Sequence, residues 1–578
     1  MAMREQFPSR GVLRRPQFRW IDLLVGGAVF ALLYGLLRLG LSLRAPFAPS
    51  HAASTISTNP ARLPVYALRS LARMFIALFL SVLFTFVYGT AAARLRRAEK
   101  VLIPLLDILQ SVPILAFLAV VVTFFIRLFP HSIVGLECAA IFAIFTSQAW
   151  NLTFSFYHSL ITQPRELDEA ARLYRLTKWQ RFWKLDVPGS MIGLVWNGMM
   201  SFGGGWFFLT ASEAITVNNH SYALPGIGSY VATAALHKEL GHVLLAIGVM
   251  IVMVLGVNFL FWRPLVAWSE RFRNEQSEAA EQPRSIMLDA LRRSRVPRVL
   301  ARPLKPVATG LDRATRVFGV ADRPLMPNVN RRRTGDAAFA AAVTVAVVVV
   351  GWSAFAYVDH HVGLGEFPHA FGLGAITFAR VLVLLVVSTL VWVPVGVKIG
   401  MSPRLARYAQ PVVQVLASFP ANFLFPFFAA LLIATHISLN WGGIVLMALG
   451  AQWYILFNTI AGAMSIPSDL REAMDNFGVR GWQRWKRLVL PGIFPAYVTG
   501  GITCAGGAWN ASIVAEVVAY GHHTLVATGL GAYIAEATRS GAFAKVLTGI
   551  VVMSIYVVGL NRIVWRRLYR LAETRYSL

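Results

Sequence analysis

Stretches of about twenty mostly apolar residues recur along the chain, separated by short segments in which arginine and lysine gather. Ile21–Leu37, Val243–Trp262 and Ala337–Val358 are apolar almost throughout. A helix needs about 20 such residues to cross the hydrocarbon core of a bilayer. The pattern predicts twelve helical spans, at 21–43, 66–93, 101–128, 132–157, 190–212, 240–262, 337–358, 373–400, 408–434, 440–465, 493–516 and 544–565. The expected fold class is therefore an all-α polytopic membrane protein.

The basic segments set the direction of those spans. Arg94-Leu95-Arg96-Arg97 follows the second span, Arg165–Lys184 the fourth, and 263–336 the sixth. With twelve spans, these segments, the N-terminal arginines and Arg566-Arg567-Leu568-Tyr569-Arg570 all fall on one side, which makes that side and both termini cytoplasmic. The N-terminal apolar stretch is too long, and too far from the start, for a cleaved signal peptide, so a retained first span is expected.

Composition agrees with a membrane protein and changes one inference. The 578 residues are 56% hydrophobic and 14% charged, with a mean hydropathy of +0.59, which excludes a soluble enzyme. A net charge of +27 would suggest nucleic acid in a soluble protein, but here the bases lie at span ends, and no nucleic-acid partner is expected. Cys138 and Cys504 both fall in apolar segments, as small buried hydrophobes.

The second half of the chain repeats the first. At a constant offset of 303, Trp150 matches Trp453, Pro164 matches Pro467, Glu169 matches Glu472, Trp206 matches Trp509, and Gly226 matches Gly529. Upstream the offset becomes 307, pairing Pro104 with Pro411, Ser111 with Ser418, and Pro113 with Pro420. Six spans separate the copies, so both halves face the same way, about an axis along the membrane normal, with a pathway between them. The resulting division is a first repeat at 1–262 (core 66–262), a basic cytoplasmic linker at 263–336 and a second repeat at 337–578 (core 373–578). The linker's prolines at 283, 297, 303, 306, 324 and 327 argue against one continuous helix, and its bases suit anionic headgroups.

The best-matched stretch lies between spans four and five of each repeat. Pro164 and Pro467 each open a short helix with acids in its first turn, where they suit the helix dipole. A turn and a second short helix, rich in aromatic and basic residues, follow, ending at Pro188 or Pro491. Each repeat thus projects a helix–turn–helix knob into the cytoplasm. An amphipathic surface pair would be the plain interpretation of one copy; two ungapped copies point to a docking element.

Glu472-Ala473, Gly478 and Leu490-Pro491 resemble the EAA loop of binding-protein-dependent ABC importer permeases. Copy one matches at Glu169, Ala170, Ala171 and Pro188, but has Arg175 in place of the glycine and Val187 in place of the leucine. Arg175 leaves that turn without the residue that eases it. The resemblance implies a type I ABC importer permease fold, with the two permease domains fused. It implies that two ABC ATPase subunits dock at Glu169, Ala170, Ala171 and Trp179, and at Glu472, Ala473, Gly478 and Trp482. It also implies an extracytoplasmic solute-binding protein as partner and a bacterial inner-membrane location. Asp107–Pro113 and Gly529–Tyr533 look like the nitrate/sulfonate/taurine/bicarbonate group, which implies a small anionic solute.

The chain has no Gly-Lys pair and so no phosphate-cradling loop of the Walker type. No catalytic residue and no cofactor in this chain are expected; ATP and Mg would sit on the partner ATPase. His360-His361, Asp359, Glu366 and His369 show no recurring ligand spacing, and no metal is expected. Polar residues inside spans are costly in hydrocarbon and tend to face a cavity. Gln110, Ser111, Asn197, Ser201, Ser212, Glu213, Ser418, Asn510, Ser512 and Glu516 are therefore expected either to line a pathway or to join helices. Glu213 and Glu516, at the outer span ends, are expected to gate or to hold a loop. Two alternatives remain at this point: a major-facilitator-type secondary transporter, and a fused ferric iron or thiamine permease.

Overall fold

The computed structural model describes residues 56–272 (apart from 131, 218 and 219), 304–316 and 329–575, together with residues 27, 288 and 289. The predicted span 21–43 lies outside the described residues, Gly27 excepted. The first repeat runs α1 (Leu63–Arg94), α2 (Arg96–Ser111), α3 (Ile114–Leu128), α4 (Val134–Ile161), α5 (Arg165–Leu173), α6 (Lys178–Arg181) and α7 (Val187–Glu213). A hairpin, β1 (Ala214–Val217) and β2 (His220–Ala223), leads to α8 (Ile227–Leu236), α9 (Leu240–Val257) and α10 (Arg263–Ser269). The linker contributes α11 (Leu304–Arg316), which packs against α6 of the first knob.

The second repeat opens with α12 (Val329–His361), α13 (Glu366–Gly400), α14 (Pro403–Ser418) and α15 (Phe425–Thr435). It continues with α16 (Leu439–Ala451), α17 (Trp453–Met464), α18 (Ser468–Asn476), α19 (Gly481–Arg484) and α20 (Leu490–Ala515). The hairpin β3 (Val517–Tyr520) and β4 (His523–Val526) precedes α21 (Leu530–Ser540), α22 (Phe543–Leu560) and α23 (Arg566–Arg575). From α1 and α13 onward the repeats follow the same order of elements, except that the single helix α4 corresponds to two, α16 and α17. Even irregularities recur: π-helical turns at Phe182–Asp186 and Asn258–Trp262 return at Trp485–Val489 and Asn561–Trp565. The two four-residue hairpins are the departure from a purely helical fold among the described residues.

Among the described residues, six helices are long and apolar enough to cross a membrane, and nine spans result if each bent pair is one. Three predicted spans are not straight. Residues 101–128 form two helices bent by 102°, 408–434 two bent by 79°, and 440–465 two bent by 42°. The first two breaks fall at Pro113 and Pro420, where the ring removes a backbone donor and clashes with the preceding turn. α4 and α7, predicted as spans four and five, are 28 and 27 residues long but are not among the six. Their polar residues, such as Glu137, Gln148 and Asn197, dilute the apolar run. α12 begins at Val329, so Arg331-Arg332-Arg333 belong to a helix continuous with its span.

The cores pack α1, α4 and α7 together in the first repeat, and α13, α17 and α20 in the second. Trp206 and Trp509, predicted equivalents, are each 1% exposed at the centres of these cores.

Candidate functional site

Both knobs close their turn in the same way. The N–H of Leu176 reaches the carbonyl of Ala171 at 3.1 Å, and that of Val479 reaches Met474 at 2.9 Å. These six-residue closures end α5 and α18 in the same left-handed cap. Gly478 supplies its φ of 63° freely, whereas Arg175 is held at 50°. Copy one offsets this with a capping box: Thr177 and Gln180 exchange side-chain-to-backbone hydrogen bonds at 3.1 and 3.2 Å at the start of α6.

The two knobs are tied differently. In copy one Arg181 pairs with Asp168, which also accepts from Arg172 at 2.8 Å. In copy two the equivalent Arg484 pairs with Asp475 at 2.6 Å, and Arg471 stands where Asp168 did. Burial alone would raise the Asp168 carboxyl, but Arg181 and Arg172 outweigh it and hold it below the usual carboxylate range.

Glu169 and Glu472 are exposed, Ala170 and Ala473 half-buried, and Ala171 buried. Trp482 is 72% exposed, but Trp179 is half-buried against Trp183, at 5.6 Å between ring centroids. The most exposed aromatics on the knobs are a pair that the sequence analysis did not single out. Tyr174 and Phe477, each just past its helix, are 77% and 83% exposed. Their spacing of 303 was the available signal.

Between the repeats, each broken helix is met by the long helix of the other half. Asn510 of α20 accepts from the backbone N–H of Ile114, the first residue of α3, at 2.8 Å. Thr210 of α7 and Asn422, just before α15, exchange hydrogen bonds at 2.7 and 2.9 Å. Ser418 packs on Gly203, where a Cβ would strike its hydroxyl. Beside it a cavity of about 20 Å³, room for about one water, is bounded by Asn258, Trp262, Gln414 and Ser418.

The other predicted pathway residues sit within one repeat. Asn197 donates to Ser155 at 3.0 Å, and Ser201 accepts from Asn151 at 2.9 Å. Ser212 and Ser512 donate to carbonyls of their own helices. Gln110 is exposed at the end of α2, and Ser111 lies at the break.

Glu213 and Glu516 are fully buried at the C-terminal ends of α7 and α20, in matching clamps. Arg73 donates to Glu213 at 2.6 Å and, through two nitrogens, to Glu137 at 2.6 and 2.7 Å. Arg380 donates to Glu516 at 2.8 Å and to the side chain of Asn440 at 2.9 Å. Ser70 and Thr377 each donate to the same glutamate and accept the N–H of Ile227 or Leu530. Each glutamate thus pins the start of α8 or α21. Gly226 and Gly529 allow the approach, because a Cβ there would collide with the carboxylate. Sequence reasoning selected both glutamates but missed Arg73 and Arg380, which obey the offset of 307.

Residues 81–267 and 392–577 each match the family described as the inner membrane component of binding-protein-dependent transport systems. The chain belongs to that family, twice over. It is similar to the nitrate import permease of Leptolyngbya laminosa, 25% identical over 33% of this chain and 64% of the relative. It is similar to the glycine betaine/proline betaine permease of Salmonella typhimurium, 28% identical over 34% of this chain and 53% of the relative. The taurine permease of Escherichia coli is 25% identical over 31% of this chain and 62% of its own length. The chain spans somewhat less than two thirds of these relatives. It is a multi-pass membrane protein that carries this transport-system component in two copies.

Proposed function

We propose that this chain forms both halves of the translocation pathway of an ATP-driven importer in a bacterial inner membrane, with both termini cytoplasmic. One ATPase subunit docks on each knob, Glu169-Ala170-Ala171 with Trp179 on one side and Glu472-Ala473 with Gly478 and Trp482 on the other. A solute-binding protein delivers a small anionic solute of the nitrate, sulfonate or taurine kind at the outer face. ATP-driven closure of the ATPases moves the knobs, and the knobs tilt α7 and α20, which meet the broken helices of the opposite half. ATP and Mg are held by the ATPases, and this chain catalyses nothing.

The observation that carries this reading is the pair of knobs closed by the same turn, each running through a π-helical turn into the long helix of its repeat. The test is to replace Glu472 with Lys, alone and with Glu169→Lys, in the assembled complex. Solute uptake and solute-stimulated ATPase activity should fall while membrane abundance holds. Survival of both activities in the double variant would refute the assignment. Nitrate, taurine, an alkanesulfonate and glycine betaine, offered in turn to the purified binding protein, would settle the solute class. Native mass spectrometry should find one permease chain with two ATPase chains; two permease chains per complex would overturn the stoichiometry.

A further inference from the structure

α12 is held to the rest of the protein chiefly by α22 and α2, and its most apolar stretch contains no buried residue. At its cytoplasmic end a groove of about 230 Å³ separates it from α2. One wall carries Arg97 and Lys100, three residues apart on α2 and hence on one face, with Val101 beneath. The other wall is Phe339, Val343 and Thr344 of α12. Both bases are exposed. The acid between them on α2, Glu99, accepts from Tyr157 at 2.7 Å. Arg331-Arg332-Arg333 lie about two turns earlier on α12, further toward the cytoplasm. Below the groove, α12 presents Val347 and Val350, 66% and 69% exposed, on its membrane-spanning length.

We propose that this groove is a binding site for an anionic phospholipid. The phosphate sits between Arg97 and Lys100, and an acyl chain runs along Val343, Val347 and Val350. The two features select this occupant together. A basic rim at the cytoplasmic surface attracts a phosphate headgroup. An apolar wall continuing into the hydrocarbon has no use for a free anion and is out of reach of a soluble protein. The bound lipid would fasten the first helix of repeat two to the α2–α3 break of repeat one.

The test is native mass spectrometry of the full chain, purified in detergent and titrated with phosphatidylglycerol, phosphatidylcholine or inorganic phosphate. Phosphatidylglycerol should give a tight first adduct that phosphatidylcholine does not give and inorganic phosphate does not displace. Arg97→Ala with Lys100→Ala should weaken that adduct by on the order of tenfold to thirtyfold, the effect of two bases at a membrane surface. Ala340→Trp, which fills the groove without altering charge, should do the same, so a folding defect in either variant leaves the other decisive. Unchanged binding in a folded variant would overturn the site, as would equal binding of phosphatidylcholine. Displacement by inorganic phosphate would replace the lipid with a free anion.

Discussion

Arg73 and Arg380 stand at equivalent positions in the two repeats, and each guanidinium donates to the glutamate that closes its own repeat's long helix, Glu213 or Glu516. Arg73 also satisfies Glu137, where Arg380 meets Asn440 instead. Removing one partner of a buried ion pair leaves an uncompensated charge and costs about 3–5 kcal/mol. Arg73→Met, which strands two carboxylates, should lower the thermal unfolding temperature more than Arg380→Met, which strands one. Glu137→Asn should be the mildest change in the set, because Asn440 already fills that place. The ranking, measured on detergent-purified protein, would fail if Arg380→Met were the most damaging.

Arg175 holds a left-handed backbone that Gly478 adopts without penalty. Arg175→Gly should therefore stabilise the first knob by up to about 1 kcal/mol, and Gly478→Ala should destabilise the second by about 1 kcal/mol. Hydrogen exchange over 165–186 and 468–489 would resolve the two effects separately. An Arg175→Gly variant that exchanges faster would contradict this account of the turn.

Tyr174 and Phe477 present large exposed apolar surfaces on the knobs. Exposed aromatics of this kind anchor interfaces, and truncation of such an anchor costs about 2 kcal/mol or more. Tyr174→Ala and Phe477→Ala should weaken ATPase attachment at least tenfold each, with no change in the unfolding temperature of the isolated permease. Pull-down of the ATPase by the purified permease reads the first, and calorimetry the second. An unfolding shift without an attachment defect would recast them as folding residues.

The tie between Asp168 and Arg181 sets a pH limit. A carboxyl held below its ordinary value contributes stability above about pH 3.9, which is lost as the pH falls through the lower folded value. Exchange protection of 165–186 should thus be the same at pH 7 and pH 5 once intrinsic rates are corrected. Asp168→Asn should lower protection equally at both. Loss of protection between pH 7 and pH 5 in the unaltered protein would show another titrating group in control.

The repeat was legible in the sequence because glycine, proline, tryptophan and glutamate cannot be exchanged without changing backbone or charge. It located Glu213, Glu516 and both knobs. Hydropathy drew 101–128 and 408–434 as one span each, because it averages over the prolines at 113 and 420; those prolines marked where a helix could break, and the bends fall there. Arg73 and Arg380 escaped for a related reason: one base in a long apolar run barely moves a window average. Their pairing with carboxylates 140 and 136 residues away is visible only in three dimensions. Asn422 and Thr210 were hidden similarly, since their equivalents, Leu115 and Ile513, are apolar and the offset carries no trace of them.

A pathway built from two identical chains must accept every substitution twice, once on each side of its axis. This chain has escaped that bond. Asn440 stands behind Arg380 where Glu137 stands behind Arg73, and Asp475 grips Arg484 where Asp168 grips Arg181. Fusion has turned a two-fold axis into a history of separate choices, so that the halves can specialise as two genes would, while still being made, inserted and degraded in a fixed one-to-one ratio.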